Sequence, residues 1–509
     1  MFNMDGIWVY LISIVSSIFL LLKLFSLKQT WQKNLPPSPP ALPIIGHLHL
    51  LKGPFHKTLQ SLSNQYGPII SLKFGFQNVL IISSPALLDE CFNKNAIIFA
   101  NRPRLLAGEI LNYNYTTINS SPYGHHWRNF RRIAAREIYS TNRLMMCLSI
   151  RQQEVRNLLK DLFENSRTSF QKVEMKSRLS KLSFNIIMRM ILGKRCLGVQ
   201  GEILEESKCI RDIISEIFAV SASSNLGDFL PILQWIDFHG IKKRMLRLKK
   251  KIDEFAQGLI DEHRNHKNSC TKVQGRTKTM IDNMLSLQES EPENYSDESI
   301  KSLLLSIIVA ATDTSAATME WTMSLLLNYP EVLKKARAEI SKFVGEDRLV
   351  DESNFPNLPY LQSIIKESMR FKTIGPLLTP YESSDDCIIR GYHVPQGTML
   401  IVNAWAIHMD PDVWEDPTSF KPERFEVLED EAHKLIPFGL GMRACPGAGL
   451  ANKVMGLALA SLIQCFEWER PSEELVDMSE GSGLTTPKAQ PLEAMCKARE
   501  SMINVLEKL

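Results

Sequence analysis

The stretch Phe438-Gly439-Leu440-Gly441-Met442-Arg443-Ala444-Cys445-Pro446-Gly447 places a single cysteine inside a glycine-rich loop. Glycine permits close backbone approach and left-handed dihedral angles, so this loop can present the sulfur of Cys445 to a flat macrocycle. A thiolate is a strong axial ligand for haem iron and favours cleavage of an O–O bond. The stretch therefore predicts a haem-ligating loop, and the alternative is a buried free cysteine in a turn.

The composition narrows the class of protein. The 59 basic and 56 acidic residues nearly balance, which gives no support for a nucleic-acid partner. The remaining cysteines are dispersed and form no C-x-x-C pair, which argues against a disulfide framework or a structural zinc site and favours a reducing compartment. They are Cys91, Cys147, Cys196, Cys209, Cys270, Cys387, Cys465 and Cys496.

The N-terminus carries a separate signal. Residues 7–22 are apolar or serine without a charge, and the apolar run resumes at 24–27 after Lys23. The basic residues follow the apolar run, and no small-residue cleavage site is present. We therefore expect residues 1–34 to be a membrane anchor with the body on the cytosolic side, and a cleaved signal peptide is the alternative.

A proline-rich segment follows at residues 35–46. Consecutive prolines stiffen a chain into the extended polyproline II form, so we expect a semi-rigid hinge between anchor and body. An SH3-type ligand is the other interpretation of such a run. Residues 47–509 contain no repeat and no convincing linker, so they are expected to form one catalytic domain.

Periodicity predicts a domain that is mainly α with a minor β part. Two β-rich runs, 69–74 and 79–82, surround a short turn and indicate a hairpin, and short strand signals return at 386–402. The polar residues 263–279 are expected to form an exposed loop. The segments that suit helices are 140–192, 202–220, 241–263, 296–327 and 330–344.

Two further motifs lie upstream of the cysteine loop. Glu367 and Arg370 are three residues apart and share a helix face, which by itself is typical of a surface ion pair. The segment 420–425, with Arg424 in a P-E-R-F sequence, follows them and precedes the loop. The order of the three motifs is more informative than any one of them.

A third motif, 310–315, interrupts a long apolar segment that is predicted to be helical. Its residues Asp313 and Thr314 are mediocre helix formers, so their place in mid-helix among apolar residues is unusual. The alternative is a helix bent by threonine hydroxyls that bond to preceding carbonyl groups. A fourth motif pairs Trp127 with Arg131 on one helix face, and by itself Trp127 would be a core aromatic residue.

Taken in order, E-x-x-R, P-E-R-F and F-x-x-G-x-R-x-C-x-G resemble the motifs of the cytochrome P-450 superfamily, and the likeness covers essentially the whole chain. Segments 99–103, 382–387 and 483–489 are similar to the plant microsomal (A-type) group, and the last two to plant family 81. The resemblance implies a cytochrome P-450 fold, with a single large haem-binding domain behind an N-terminal transmembrane anchor.

The resemblance also implies roles for individual residues. Cys445 would be the axial metal ligand of haem b, and Glu367, Arg370 and Arg424 would form a buried structural triad. Asp313 and Thr314 would be catalytic and deliver protons during oxygen activation. The other residues expected to bind the cofactor are Arg443, Trp127, Arg131, Phe438, Gly439 and Gly447. The expected substrate pocket is apolar and consists of Ile307, Ile308, Ala311, Ile374, Leu377, Leu378 and Leu484.

The implied activity is a monooxygenase of the endoplasmic reticulum membrane that hydroxylates a lipophilic plant specialised metabolite, such as a flavonoid, lignan, terpenoid or alkaloid. Electrons would come from NADPH through a separate NADPH-cytochrome P-450 reductase, with cytochrome b5 as a further candidate partner. No flavin or G-x-G-x-x-G segment is present in the chain.

Two departures from the family pattern keep alternatives open. Ala311 stands where glycine is expected, and Tyr381 where histidine or arginine is expected. The first is a hint toward oxidative ring closure, through a methylenedioxy, C–C or C–N bond, without oxygen insertion. The remaining alternatives are a reductase-independent haem-thiolate isomerase or lyase and a non-catalytic haem-binding protein.

Overall fold

The computed structural model describes residues 34–195, 205–222, 225–231, 240–268, 278–427 and 434–509, with isolated positions at 13, 16, 17, 233 and 237. The predicted membrane anchor therefore lies almost wholly outside the described residues.

Helices make up most of the described chain. In chain order they are α1 Phe55–Tyr66, α2 Pro85–Asp89, α3 Leu106–Ile110, α4 His125–Ala134, α5 Thr141–Met146, α6 Leu148–Ser166, α7 Met175–Leu192, α8 Glu205–Ala222, α9 Ile241–Asn268, α10 Met280–Ser290, α11 Asp297–Asn328, α12 Pro330–Phe343, α13 Pro359–Phe371, α14 Ala404–His408, α15 Arg424–Val427, α16 Ala448–Cys465 and α17 Ile503–Leu506.

The strands are short and form three small sheets. They are β1 Ile69–Phe74, β2 Gln77–Ile82, β3 Gln171–Glu174, β4 Tyr381–Glu382, β5 Cys387–Ile389, β6 Tyr392–Val394, β7 Met399–Val402, β8 Phe466–Glu469 and β9 Glu493–Ala498. The largest sheet has the order β1-β2-β7-β4, with β2 and β7 parallel and the other pairs antiparallel. The predicted hairpin is its β1–β2 pair, in which Ile70 lies opposite Ile81.

Two long apolar helices form the centre of the domain. The side chain of Ser296 accepts a hydrogen bond from the Ser299 N–H and caps α11. The negative charges of Asp297 and Glu298 in the first turn interact favourably with the positive end of the helix dipole. Pro330 stands at the start of α12, and its missing N–H suits a first helical turn. By length and hydropathy α11 and α16 could each cross a membrane, but both are mostly buried inside the domain. They are therefore core helices.

Two expectations about secondary structure were wrong. Residues 140–192 do not form one helical segment, because β3 separates α6 from α7. That strand forms through pairing with the distant strand β9, with Val173 opposite Ala494. Residues 263–268 are not loop, because α9 continues to Asn268.

The proline-rich segment 35–46 lies against the main sheet. The Ser71 N–H donates to the Pro37 carbonyl at 2.8 Å, and Gly46 forms a bridge to Phe74. A methyl group on Gly46 would come within 2.3 Å of the Lys73 carbonyl oxygen, and the residue has φ +60°, so glycine is required there. These contacts attach the segment to the edge of the sheet at β1.

A cluster of charges holds α1 against the C-terminal part of the chain. Glu480 lies 3.3 Å from His56 Nε2, 3.7 Å from Lys57 Nζ and 3.4 Å from Lys372 Nζ. Contact with His56 lowers the pKa of Glu480 to about 2 from 4.5; burial opposes this effect, and the charges of Lys372 and Lys57 add to it. The ionised carboxylate therefore stabilises the folded state at neutral pH.

We predict that Glu480→Gln lowers the melting temperature at pH 7 and flattens its fall in acid. Because the folded-state pKa lies below the unfolded value, the contribution of Glu480 is present above pH 4.5 and disappears as the pH falls toward about 2. Melting curves across that range, with the exposed Glu473→Gln as a matched control, measure the difference. A difference between Glu480→Gln and the wild type that does not change with pH would contradict the prediction.

Candidate functional site

The cysteine loop is held by its own backbone. The Cys445 N–H donates to the Phe438 carbonyl at 2.8 Å, and Gly441–Arg443 forms one 3₁₀ turn. Gly441 has φ +63°, and a Cβ on it would lie 3.1 Å from the Phe92 carbonyl oxygen. Gly439 is also left-handed, with φ +69°. The loop thus depends on glycine at both positions.

The sulfur of Cys445 lies at the start of α16. Protein atoms surround it on most sides, and the side chain is accessible from the remaining one. Burial raises the pKa of the Cys445 thiol, whereas the backbone N–H groups of Gly447 and Ala448 and the charge of Arg131 act in the opposite direction. A Cβ on Gly447 would lie 3.8 Å from this sulfur and 3.4 Å from the Tyr139 ring, so glycine keeps the approach to it open.

Arg443 is buried two residues before the cysteine. Its guanidinium donates to the carbonyls of Ala100 at 2.6 Å, Ile118 at 3.2 Å and Ser121 at 2.6 Å. Its central carbon lies 4.4 Å from the centroid of the Trp127 ring. The loop residue and the α4 aromatic residue are therefore stacked together.

Helix α4 brings the predicted Trp127–Arg131 pair to the same place. Arg131 donates to the Ala444 carbonyl, next to Cys445. The indole N–H of Trp127 donates to the Ile118 carbonyl at 3.1 Å. One region beside Cys445 is thus bordered by Trp127 and Arg131 from α4 and by Arg443 from the loop.

A third arginine of this cluster was not among the predicted site residues. Arg102 is 8% exposed, and it donates to the carbonyls of Thr379 and Pro380 at 2.6 and 2.8 Å. Among the described residues its Nε has no hydrogen-bond partner. The guanidinium lies 4.5 Å from the centroid of the buried Tyr381 ring. The arginine in segment 99–103 was the only sequence signal for it.

The three guanidiniums form a cationic cluster that has no paired acid. Across the described parts of the chain, Arg102, Arg131 and Arg443 donate to carbonyl oxygens and, for Arg102, also to the Tyr381 phenol, but they pair with no carboxylate. Burial lowers the pKa of Arg443 to about 9, and the charges of Arg102 and Arg131 add to this effect. An anionic ligand would relieve their repulsion and satisfy the Arg102 Nε.

These features fit haem. Its two propionates supply the missing negative charge, and its iron accepts a thiolate ligand such as Cys445. Phe438 and Gly439 shape the loop on which the cysteine stands. The donor set therefore matches the predicted cofactor, with Arg102 as an additional candidate propionate ligand.

The predicted charged triad is largely enclosed, with the Arg424 side chain 8% exposed. Arg370 donates from Nε and Nη2 to the two oxygens of Glu367 at 2.7 and 2.8 Å, and both side chains are 0% exposed. Arg424 donates to the same carboxylate at 3.1 Å. The Lys421 N–H adds a fourth donor at 2.9 Å. Loss of one partner would leave buried charge uncompensated, at a cost of about 3–5 kcal/mol.

The acid–threonine pair lies in the middle of α11, which is one continuous helix. The Thr314 hydroxyl donates to the Ala310 carbonyl at 2.8 Å. The back-bonding that the alternative interpretation of this motif proposed is therefore present. Burial raises the pKa of Asp313, and the charge of Lys176 and a hydrogen bond from Thr485 act against this. Asp313 therefore takes up a proton more readily than an exposed aspartate.

The predicted pocket residues occupy different surroundings. Ile307 and Ile308 are buried on α11, and Ile308 lines an apolar gap that α11 shares with α8 and α9. Leu377 packs against the cluster of the main sheet, whereas Leu378 packs beside the cysteine loop. Ile374 accepts a hydrogen bond from the Thr486 N–H at 3.0 Å.

Two of the predicted pocket residues are less enclosed than Ile307 and Ile308. Leu484 is 50% exposed, in a loop whose next residue, Thr485, contacts Asp313. Ala311 is partly buried against the core. Thr485 contacts Asp313, and the next residue, Thr486, bonds to the Ile374 carbonyl. The loop that contains Leu484 therefore lies close to both Ile374 and the acid–threonine pair.

Comparison with known proteins identifies the class. The family described as "Cytochrome P450" matches residues 36–492. A zebrafish cytochrome P450 solved with progesterone superimposes with a TM-score of 0.74 and 25% identity, over 88% of this chain and 100% of that one. The chain belongs to the cytochrome P-450 family.

Similar relatives place it beside plant family 81. It is 53% identical to "Cytochrome P450 81Q32" of Catharanthus roseus, over 96% of this chain and 95% of the relative. It is 48% identical to the "(+)-piperitol/(+)-sesamin synthase CYP81Q2" of Sesamum radiatum, over 98% of both chains. It is 49% identical to the "Isoflavone 3'-hydroxylase" of Medicago truncatula, over 96% of both. The predicted resemblance and the predicted class of enzyme, a cytochrome P-450 monooxygenase, are confirmed.

We predict that Arg102→Met weakens haem retention roughly tenfold, because one charge-assisted contact to a propionate is lost. The rate of haem transfer to apomyoglobin and the haem content of the purified protein measure the change. Arg102→Lys keeps the charge and is expected to lose less haem, and the exposed Arg104→Met is the matched control. Unchanged haem transfer from Arg102→Met would exclude Arg102 from the propionate site.

Proposed function

We propose that this protein is a haem-thiolate monooxygenase in which Cys445 would supply the thiolate that holds the haem iron. The observation that carries the proposal is that an accessible thiol lies beside three guanidiniums, those of Arg102, Arg131 and Arg443, which pair with no carboxylate of the described residues. Arg102 and Arg443 are buried, and Arg131 is partly buried. When bound, the haem supplies the activation of dioxygen. The Cys445 thiolate would ligate the iron, and the guanidiniums with Trp127 would hold the propionates.

The acid–threonine pair would control protons in this site. Burial raises the pKa of Asp313, which favours the protonated form of its carboxyl group more than in an exposed aspartate. The Thr314 hydroxyl donates to Ala310, and its oxygen can still accept a hydrogen bond from water. The Thr485 hydroxyl orients the Asp313 carboxyl group. Together these groups form a short path for protons along α11.

The substrate would be a lipophilic plant specialised metabolite such as a flavonoid, lignan, terpenoid or alkaloid. The expected pocket residues Ile307, Ile308, Ile374 and Leu377 are aliphatic, which favours an apolar or aromatic molecule. Relatives named as isoflavone hydroxylases and as a piperitol/sesamin synthase support this class.

The electron donor would be NADPH-cytochrome P-450 reductase, with cytochrome b5 as a further candidate. Arg128, Arg132 and Arg136 are exposed at four-residue intervals along the helical segment that begins with α4. Arg131 of the same helix contacts the cysteine loop at Ala444. This basic stripe would attract an acidic donor to the side of the domain nearest the thiolate.

The body would be anchored to the endoplasmic reticulum membrane by residues 1–34. One end of the described domain exposes Ile44 and Phe76, at 69% and 70%. The Phe76 N–H donates to the Phe229 carbonyl at 3.0 Å, which adds a further apolar residue to this end. Apolar side chains beside the proline-rich segment suit contact with lipid.

We predict that Cys445→Ala abolishes the red-shifted Soret band that a thiolate-ligated haem gives when reduced and exposed to carbon monoxide. Difference spectra of microsomes that contain the protein and a plant reductase measure this. Cys387→Ala removes another free cysteine and is the matched control. Persistence of the band in Cys445→Ala would disprove the ligand assignment.

Oxidative ring closure is the second candidate outcome, favoured by Ala311. Its methyl group would narrow the space along α11 beside Thr314, where the family pattern has glycine. A narrower space would alter the supply of water to the site. Ring closure removes two hydrogens from the substrate and inserts no oxygen, so it could result from such a change.

We predict a product that has gained one oxygen atom, formed only when NADPH and reductase are both present. Mass spectrometry of products from a panel of flavonoids, lignans, terpenoids and alkaloids measures this. A product that has lost two hydrogens and gained no oxygen would establish ring closure instead. Turnover without reductase would favour the isomerase or lyase alternative.

A further inference from the structure

His408, at the end of α14, is fully buried and has no role in the proposed reaction. The Ile436 N–H donates to its Nε2 at 3.0 Å. A ring nitrogen that accepts a hydrogen bond carries no proton, so the proton of neutral His408 is on Nδ1. That nitrogen donates to the Thr373 hydroxyl oxygen at 2.7 Å. Both ring nitrogens are therefore used, each toward a different segment.

The Nε2 side leads to the cysteine loop. Ile436 is 1% exposed and precedes the loop by two residues. Its carbonyl accepts from the Gly439 N–H at 3.1 Å, and the neighbouring Phe438 carbonyl accepts from the Cys445 N–H at 2.8 Å. The position of Ile436 thus determines where the loop begins.

The Nδ1 side leads to the segments that carry the expected pocket residues. The Thr373 carbonyl accepts from the Thr486 hydroxyl at 2.7 Å. The Thr486 carbonyl in turn accepts from the indole N–H of Trp321 on α11 at 2.8 Å. Thr485, which contacts Asp313, is the adjacent residue. One side chain therefore connects the cysteine loop with the 484–486 loop.

The surroundings of His408 keep its imidazole neutral, so that its two hydrogen bonds keep the same directions. Burial lowers the pKa of His408 to about 3, and the charge of Arg370 adds to the effect. The His408 carbonyl accepts from Arg370 Nη1 at 2.7 Å, which attaches α14 to the Glu367 triad. Thr373 is 2% exposed, so water does not replace its contact with the ring.

We propose that His408 is a positioning residue that sets the cysteine loop and the 484–486 loop relative to each other through its two ring nitrogens. The inference rests on the proposed ligation of iron by Cys445. Because His408, Thr373 and Ile436 are sealed from solvent, water does not replace the hydrogen bonds between them. A displacement of either loop is therefore transmitted to the other through the imidazole of His408.

Two substitutions separate the two bonds. In His408→Gln the side-chain oxygen reaches the Nε2 position and keeps the contact to Ile436, but the contact to Thr373 is lost. In His408→Asn the amide nitrogen takes the Nδ1 position and keeps the contact to Thr373, but the contact to Ile436 is lost. Thr373→Val removes the Thr373 contact from the other side and is expected to behave like His408→Gln.

Backbone hydrogen exchange of the holoprotein is the primary measurement. We expect amides of residues 434–440 to exchange roughly tenfold faster in His408→Asn, and amides of residues 484–488 roughly tenfold faster in His408→Gln and Thr373→Val. In the reduced carbon monoxide complex, His408→Asn is expected to lose the thiolate Soret band faster than His408→Gln. His49→Asn, on the surface, is the control.

The outcomes separate the inference from the proposed function. Equal acceleration in both regions for both His408 variants, no acceleration in either, or the reversed pattern would each overturn the positioning role. Absence of the thiolate band from the wild-type protein would disprove ligation by Cys445 instead, whatever the exchange pattern of the variants.

Discussion

The buried ion pair between Glu367 and Arg370 is the constraint on which the site depends. Both side chains are sealed from solvent, so each charge requires full compensation inside the domain. Arg370 achieves this by donating to the carbonyls of His408, Pro417 and Ser419 as well as to Glu367. A single helical residue thereby holds the end of α14 and the irregular chain at 417–419 in place beside α13.

The arginines of the Glu367 triad and those beside the cysteine loop differ in whether a carboxylate accompanies them. Arg370 and Arg424 share the carboxylate of Glu367, which offsets one of their two charges, and both also donate to backbone carbonyls. Arg102 and Arg443 are similarly buried, but their partners are carbonyl groups and, for Arg102, the Tyr381 phenol, and no carboxylate of the described residues pairs with them. The first group is complete as folded and is structural, whereas the second requires an anion and indicates a binding site.

The sequence predicted those parts of the molecule that depend on local pattern. The loop around Cys445, the face shared by Glu367 and Arg370 and the hairpin at 69–82 each follow from residues close together in the chain. Strand β3 was missed because its pairing partner, β9, lies more than 300 residues further on. Arg102 and His408 were missed for the same reason: each gains its role from contacts with segments that only the folded chain brings near.

Tyr381 illustrates how a departure from a family pattern is resolved by the rest of the fold. A phenol in place of a histidine or arginine removes a cation from the region expected to hold the propionates. Arg102 lies 4.5 Å from the centroid of the Tyr381 ring and supplies a positive charge there. Burial raises the pKa of Tyr381, so the phenol stays protonated and adds no negative charge to the cluster, and the charges of Arg102 and Arg443 oppose that shift. The net positive charge of the site therefore comes from Arg102 and its neighbours, and Tyr381 contributes a flat, neutral surface against which Arg102 stacks.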